Sequence, residues 1–238
     1  MILGEDKMTE IFEVAYEVFL VREIFNSILI GALIVFGIYL LKKMREKEPG
    51  SAQRDIYLGY CLFLILYGLV RVFFVLSDIE VYNAHNPETF LNNIYVGIAY
   101  TCGIVGVLCL FYMIEKHLIH TRYIFTCVAV GIVIVSIISI LSIIPTQIPQ
   151  LIMLVSLPVF FGIVIFLYLY VAIKSPGEPR RRALGIMAGI LVIMFGTLFN
   201  SQLIGGALES VGLPFEIRIL IEPFIVIIGG AIFTFSQR

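Results

Sequence analysis

Seven long apolar runs divide the sequence, and they restrict what the chain can fold into more than any other feature. The hydrocarbon core of a bilayer is about 30 Å thick, so a crossing helix needs about 20 mostly apolar residues. Polar breaks, several of them containing Pro or Gly, separate the runs. We therefore predict an all-α polytopic membrane protein, a seven-transmembrane helix bundle forming one domain over residues 1–238, with spans near 25–41, 56–76, 94–114, 123–144, 151–173, 184–206 and 215–235.

Composition agrees with a membrane protein. Hydrophobic residues make up 60% of the chain and charged residues only 14%, whereas soluble domains have about 45–50% and about 25%. The mean hydropathy is +1.03. The formal net charge of −1 gives no reason to expect a nucleic-acid partner. We expect the lipid bilayer of the cell membrane to surround the chain.

Lysine and arginine residues accumulate in alternate breaks, which predicts the orientation of the bundle. The second, fourth and sixth breaks contain neither residue type, while Arg238 ends the chain. Cytoplasmic loops carry an excess of Lys and Arg. We therefore predict that the N-terminus lies outside and the C-terminus in the cytoplasm, with the basic residues of the first, third and fifth breaks inside: Lys42, Lys43, Arg45, Lys47, Arg54, Lys116, Arg122, Lys174, Arg180, Arg181 and Arg182.

The first span follows a lead-in, residues 1–24. Within it, Glu10, Glu13 and Glu17 have a spacing that places them on one face of a helix. We predict an amphipathic segment at the outer membrane interface. The alternative is a lid or a helix that docks a partner.

Residues that intramembrane catalysis requires are missing from the spans. His85, His117 and His120 all fall in breaks, and no His-Glu-x-x-His pattern is present. No span contains an embedded aspartate, or a deep lysine that could bind retinal. Glu115 with His117 and His120 could hold a metal in principle, but a solvated basic loop is the interpretation we favour. We expect no enzymatic activity, no cofactor and no metal.

Charged and amide side chains within the spans lie at similar depth. Arg218 and Glu222 are one helical turn apart in the seventh span, and Arg71 lies near the outer end of the second. Asn200 and Gln202 occupy the outer third of the sixth span. A charge within a membrane helix costs about 2.5–3.5 kcal/mol and usually faces a partner or a water cavity. We predict that Arg71 and Glu222 approach each other and that Arg218 completes the cluster.

Two interpretations of this cluster stay open. It could be a structural ion pair that locks the second and seventh helices, with Arg218 extending toward the interface. It could instead form the polar floor of an outward-facing cavity that binds a small polar or anionic ligand. An ion conduit would also need polar groups across the inner halves of the spans, which are nearly all apolar.

Small residues in the sixth span predict close helix packing. Gly185 and Gly189 form a G-x-x-x-G pair, and Gly196 follows seven residues later. Such spacing lets two helix backbones approach closely. We expect these glycines to pack within one bundle, with homodimerisation through the sixth span as the alternative.

The last quarter of the sequence combines the basic loop Arg180–Arg182, a sixth span punctuated by glycines, Asn200, a short loop with Gly and Pro, and Glu222 next to Pro223. In these features it resembles the last two helices of the seven-helix sensing region that precedes the kinase core in many membrane histidine kinases. The resemblance implies a sensor or receptor-like module. Such receptors continue into a cytoplasmic output domain, whereas this sequence stops after the seventh span.

We therefore expect a partner protein to read the signal at the basic loops, at Arg180, Arg181 and Arg182. Two other classes of function stay open from the sequence. One is a small transporter or permease subunit, which should show repeated halves and a broken helix. The other is a structural subunit of a membrane complex.

Overall fold

The computed structural model describes residues 16–84, 89–118, 122–141, 147–199 and 208–237, and within these ranges there are helices and connections but no strand. The prediction of an all-α architecture is confirmed. The helices of 17 residues or more are α1 (Tyr16–Arg45), α2 (Ala52–Ala84), α3 (Phe90–His117), α4 (Ile124–Ile140), α5 (Gln147–Lys174), α6 (Glu178–Phe199) and α7 (Phe215–Phe235).

Five of these helices, α1, α2, α3, α6 and α7, are long and apolar enough to cross a membrane. The chain is therefore compatible with a helical membrane protein, as its composition predicts. Helix α4 and the apolar part of α5, Pro158–Lys174, are shorter than a typical span. The count of seven spans and the orientation stay predictions.

Helix α1 includes the end of the predicted lead-in. It begins at Tyr16, well before the predicted first span, and continues without interruption to Arg45. A helix of 30 residues is about 45 Å long, which exceeds the hydrocarbon core. The earlier part of the lead-in, including Glu10 and Glu13, lies outside the described residues.

The chain divides into two compact units. The first unit consists of Met1–Leu29 with Val155–Arg238, and so includes the start of α1, most of α5, and all of α6 and α7. The second unit, Ile30–Leu154, includes the rest of α1 with α2, α3 and α4. Helices α1 and α5 each contribute residues to both units.

In the second unit, α2 and α3 pack as an antiparallel pair with glycines at the contact. A Cβ atom on Gly59 would lie 2.9 Å from the Cγ of Met113, and one on Gly106 would lie 3.3 Å from the Cβ of Leu66. The atoms that meet these glycines most closely are side-chain atoms. The pair therefore interlocks by fitting side chains of one helix against the bare backbone of the other.

In the first unit, α6 and α7 form a closer antiparallel pair. Gly185, Gly189 and Gly196 all face α7 of the same chain. A Cβ atom on Gly189 would lie 2.5 Å from the backbone nitrogen of Phe233. From the other side, a Cβ atom on Gly229 would lie 2.7 Å from a backbone nitrogen of α6. The two backbones therefore touch in the half of the pair that contains the end of α7.

Candidate functional site

Two charged residues are buried in the N-terminal part of α7. Arg218 and Glu222 are four residues apart, so they share one face of the helix. Arg218 is 3% exposed and Glu222 is 4% exposed. The helix continues through Pro223 to Phe235 with no further charged residue. Before Arg218 the helix has one further charged residue, the exposed Glu216, so all three of its charges lie within its first turns.

The chain turns sharply before α7 and brings a carboxylate to Arg218. The N–H groups of Gly212 and Leu213 donate to the carbonyls of Glu209 and Leu208, at 2.9 and 3.0 Å. Gly212 has a φ of 87°, a conformation that glycine adopts without a steric penalty. As a result, Glu209 lies beside α7 and forms an ion pair with the Nη2 group of Arg218.

The two partners of this ion pair differ strongly in exposure. The side chain of Glu209 is 44% exposed, whereas that of Arg218 is 3% exposed. The guanidinium carbon of Arg218 also lies 5.5 Å from the ring centroid of Phe215, within cation–π distance. Among the described residues the Nε group of Arg218 is buried and has no hydrogen-bond partner. Arg218 is thus a fixed, incompletely satisfied cation whose carboxylate partner is half in solvent.

The start of α1 lies in the same unit and adds further polar groups. The rings of Phe25 and Phe224 meet edge to face with centroids 4.8 Å apart, which places this part of α1 beside α7. Glu23 and Asn26 flank Phe25, and Asn26 is buried. Arg22 forms an ion pair with Glu23 at 3.5 Å. The first unit therefore holds several polar side chains in the N-terminal halves of α1 and α7.

The other residues of the predicted cluster have different outcomes. Arg71 belongs to the second unit, where its Nη2 group donates to the Tyr67 hydroxyl at 2.9 Å and its guanidinium carbon lies 5.4 Å from that ring centroid. The approach of Arg71 to Glu222 stays a prediction. Asn200 and Gln202 lie outside the described residues.

The second unit also contains a buried carboxylate, that of Glu115, whose burial the sequence did not predict. Glu115, near the end of α3, accepts hydrogen bonds from the backbone N–H groups of Phe125 and Thr126, at 3.0 and 2.8 Å, and from the Thr126 hydroxyl. It is 3% exposed, so the interpretation of this stretch as a solvated loop is wrong for Glu115. The side chain caps the N-terminal turn of α4 and satisfies N–H groups that the helix itself leaves unpaired.

Polar contacts tie both ends of the α2–α3 pair. At one end, Asp55 accepts from Lys116 Nζ at 2.7 Å and lies 2.9 Å from His117 Nε2. These contacts hold the pKa of Asp55, which precedes the predicted span, below its usual value and raise the pKa of Lys116. At the opposite end, the buried Ser77 hydroxyl donates to Asn92.

No metal-binding group of three or more His, Cys, Asp or Glu side chains occurs in the described part of the chain, and His120 lies outside it. No protein-family model, curated protein or solved structure matches the chain. The side chains that bear most on function are Arg218, Glu209 and Glu222.

Proposed function

We propose that the protein is a membrane-embedded sensor module that binds a small polar or anionic ligand at the N-terminal end of α7. The observation that carries this proposal is the burial of Arg218 and Glu222 one turn apart in a helix whose one other charged residue, Glu216, is exposed. Charged residues in membrane helices are costly and typically face a substrate path, a partner or a water cavity. Selection for stability alone would favour apolar residues at these two positions.

The proposed topology has seven spans, with the start of α7 outside. Lys174, Arg180 and Arg181 are exposed near the end of α5 and the start of α6. Basic residues next to a span favour the cytoplasmic side. Because α6 and α7 are antiparallel, the end of α7 lies on that side too, and Arg218 lies near the outer surface.

The contact between α6 and α7 supplies a route for the signal. Since their backbones touch at Gly189 and Gly229, α7 cannot shift or tilt without displacing α6. Tightly packed helices move between discrete arrangements rather than deforming continuously. Ligand binding near Arg218 would therefore change the position of the α6 start, where a cytoplasmic partner would contact Arg180, Arg181 and Arg182. The resemblance of this part of the sequence to kinase sensing regions supports the same proposal.

A thermal-stability screen in lipid nanodiscs tests ligand binding. The chain has no tryptophan and four cysteines, so unfolding should be followed with a thiol-reactive dye that reports exposure of buried thiols such as Cys61. We expect a small polar or anionic compound to raise the midpoint of unfolding through preferential binding to the native state. Failure of anions, zwitterions and neutral polar compounds to do so would contradict the proposal.

Distance measurements between spin labels test transmission. Labels at Glu178 and Phe235, both exposed, report on the end of the α6–α7 pair that is farther from Arg218. Labels at Gln53 and Leu118 are the matched control on the α2–α3 pair. We expect the stabilising compound to change the first distance and leave the second unchanged. An unchanged first distance would exclude a sensor, and uptake of the compound into liposomes would instead indicate a permease.

A further inference from the structure

We infer that Arg218 binds a carboxylate group of the ligand and that the carboxylate of Glu209 occupies this place when no ligand is bound. The inference rests on the proposed function and extends it, because it names the chemical class of the ligand and the residue that the ligand displaces. In this account Glu209 is an internal competitor that keeps the site closed.

The start of α7 offers an anion more than one kind of hydrogen-bond donor. Arg218 presents a buried guanidinium, and its Nε group has no partner among the described residues. The N-cap residue, Pro214, provides no side-chain hydrogen bond to the first turn. The first N–H groups of a helix point outward and carry a partial positive charge. A carboxylate at this position could therefore accept hydrogen bonds from Arg218 and from the helix end.

Glu209 can move away from the ion pair, whereas Arg218 cannot. The Glu209 side chain is 44% exposed, so water can hydrate its carboxylate once it moves away. Arg218 is held in place by burial and by the Phe215 ring. Glu209 is attached through the short turn at Gly212. A group on a short tether competes at an effective concentration in the millimolar range, which a ligand of moderate affinity can overcome.

The charge of the site favours a monovalent carboxylate as the ligand. Such a carboxylate replaces Glu209 one for one, so the exchange leaves the net charge of the site unchanged. It also matches the planar donor geometry of a guanidinium. Glu222, one turn deeper and 4% exposed, is a second carboxyl group close by. A dianion such as phosphate would bring additional negative charge next to it in surroundings of low polarity, which is unfavourable.

Titration with propionate, compared with phosphate, tests the inference in nanodiscs by the midpoint of thermal unfolding. Propionate should stabilise the wild type, and Glu209→Gln should lower the concentration that is needed by about tenfold because the internal competitor is gone. Arg218→Met should abolish the response. Glu216→Gln is the matched control: it removes the same charge from the first turn of α7, which also contains Arg218, but Glu216 is exposed, so it should respond as the wild type does.

The outcomes separate the inference from the proposed function. If propionate stabilises wild type and Glu209→Gln at the same concentration, or if only phosphate stabilises them, displacement by a carboxylate is overturned and ligand sensing stands. If no compound of the wider screen stabilises either protein, both ideas fail. Should Arg218→Met fail to fold, Arg218→Lys keeps the charge but loses the guanidinium fork. We expect that variant to need at least about tenfold more propionate, and an unchanged requirement would overturn the inference.

Discussion

The α2–α3 pair and the α6–α7 pair are both antiparallel and both have glycines at the helix contact, yet they are held together differently. In α2–α3, side chains such as that of Leu66 fill the space at the glycines, and polar contacts tie both ends, at Asp55 and at Ser77. In α6–α7, the backbones themselves touch at Gly189, and buried charges lie near one end only, at the start of α7.

This difference indicates a division of roles between the two pairs. Polar contacts at both ends fix the register and the separation of α2 and α3. The α6–α7 pair is fixed in the half that contains the end of α7, while at the end that carries Arg218 the described residues supply one partly exposed ion pair. We interpret α2–α3 as a scaffold and α6–α7 as the pair that responds to a ligand. Substitutions in the two pairs should therefore have different consequences.

The largest expected effect is that of Gly189→Ala. Its new Cβ atom would lie 2.5 Å from a backbone nitrogen, which cannot yield unless the helices separate, so we expect a loss of about 3 kcal/mol in the free energy of unfolding. Gly106→Ala meets a side-chain atom at 3.3 Å and should cost less than about 1 kcal/mol. Gly31→Ala, whose added Cβ atom meets nothing within 4 Å, is the control without a steric contact and should change stability through helix propensity alone.

Reversible unfolding in mixed detergent micelles can measure all three glycine variants. We expect Gly189→Ala to lose the most stability, Gly106→Ala less and Gly31→Ala the least. Equal losses at Gly189 and Gly106 would show that the two pairs tolerate added volume alike. The backbone contact in α6–α7 would then be no stricter than the side-chain contact in α2–α3.

A smaller loss is expected for Glu115→Ala in the second unit. The substitution leaves the N–H groups of Phe125 and Thr126 without their acceptor, which should cost about 2 kcal/mol. The same micelle assay measures it, and Glu46→Ala is the control because that carboxylate lies at the surface next to Lys43. A Glu115→Ala protein as stable as the Glu46→Ala protein would show that the cap contributes nothing.

The effect of Asp55→Asn should be smaller still and should depend on pH. Lys116 and His117 lower the pKa of Asp55, so the folded state favours the carboxylate more than the unfolded state does. Its contribution is therefore fully present above the unfolded pKa and is lost as pH falls through the lower folded pKa. Wild type should be the more stable protein at pH 7, and the difference should shrink as pH falls through the folded pKa of Asp55. A difference that does not change with pH would contradict this assignment.

The sequence predicts part of this arrangement for identifiable reasons. Arg218 and Glu222 are recognisable because charges stand out in an apolar run. Glu209 is not, because its approach to Arg218 depends on the direction of the turn at Gly212. Likewise, the G-x-x-x-G spacing at Gly185 predicts a close contact without naming its partner, which the structure shows to be α7.

The burial of Glu115 shows a second reason why the sequence does not predict the whole arrangement. Its burial depends on how closely the end of α3 meets the start of α4, with the rings of Phe111 and Phe125 5.6 Å apart. An acidic residue in a basic stretch carries no sequence signal of that tertiary contact. Local patterns thus identified the helices, whereas contacts between helix ends could not be read from them.

We interpret the buried charge at the start of α7 as serving ligand binding rather than stability. The double variant Arg218→Met, Glu209→Gln tests this claim when its unfolding midpoint is measured with and without propionate. Replacing a buried ion pair by groups of similar size is often neutral or stabilising, so we predict a midpoint equal to or above that of the wild type, with no response to propionate. A loss of more than about 2 kcal/mol with the response intact would contradict the claim and would show that the pair is a structural lock.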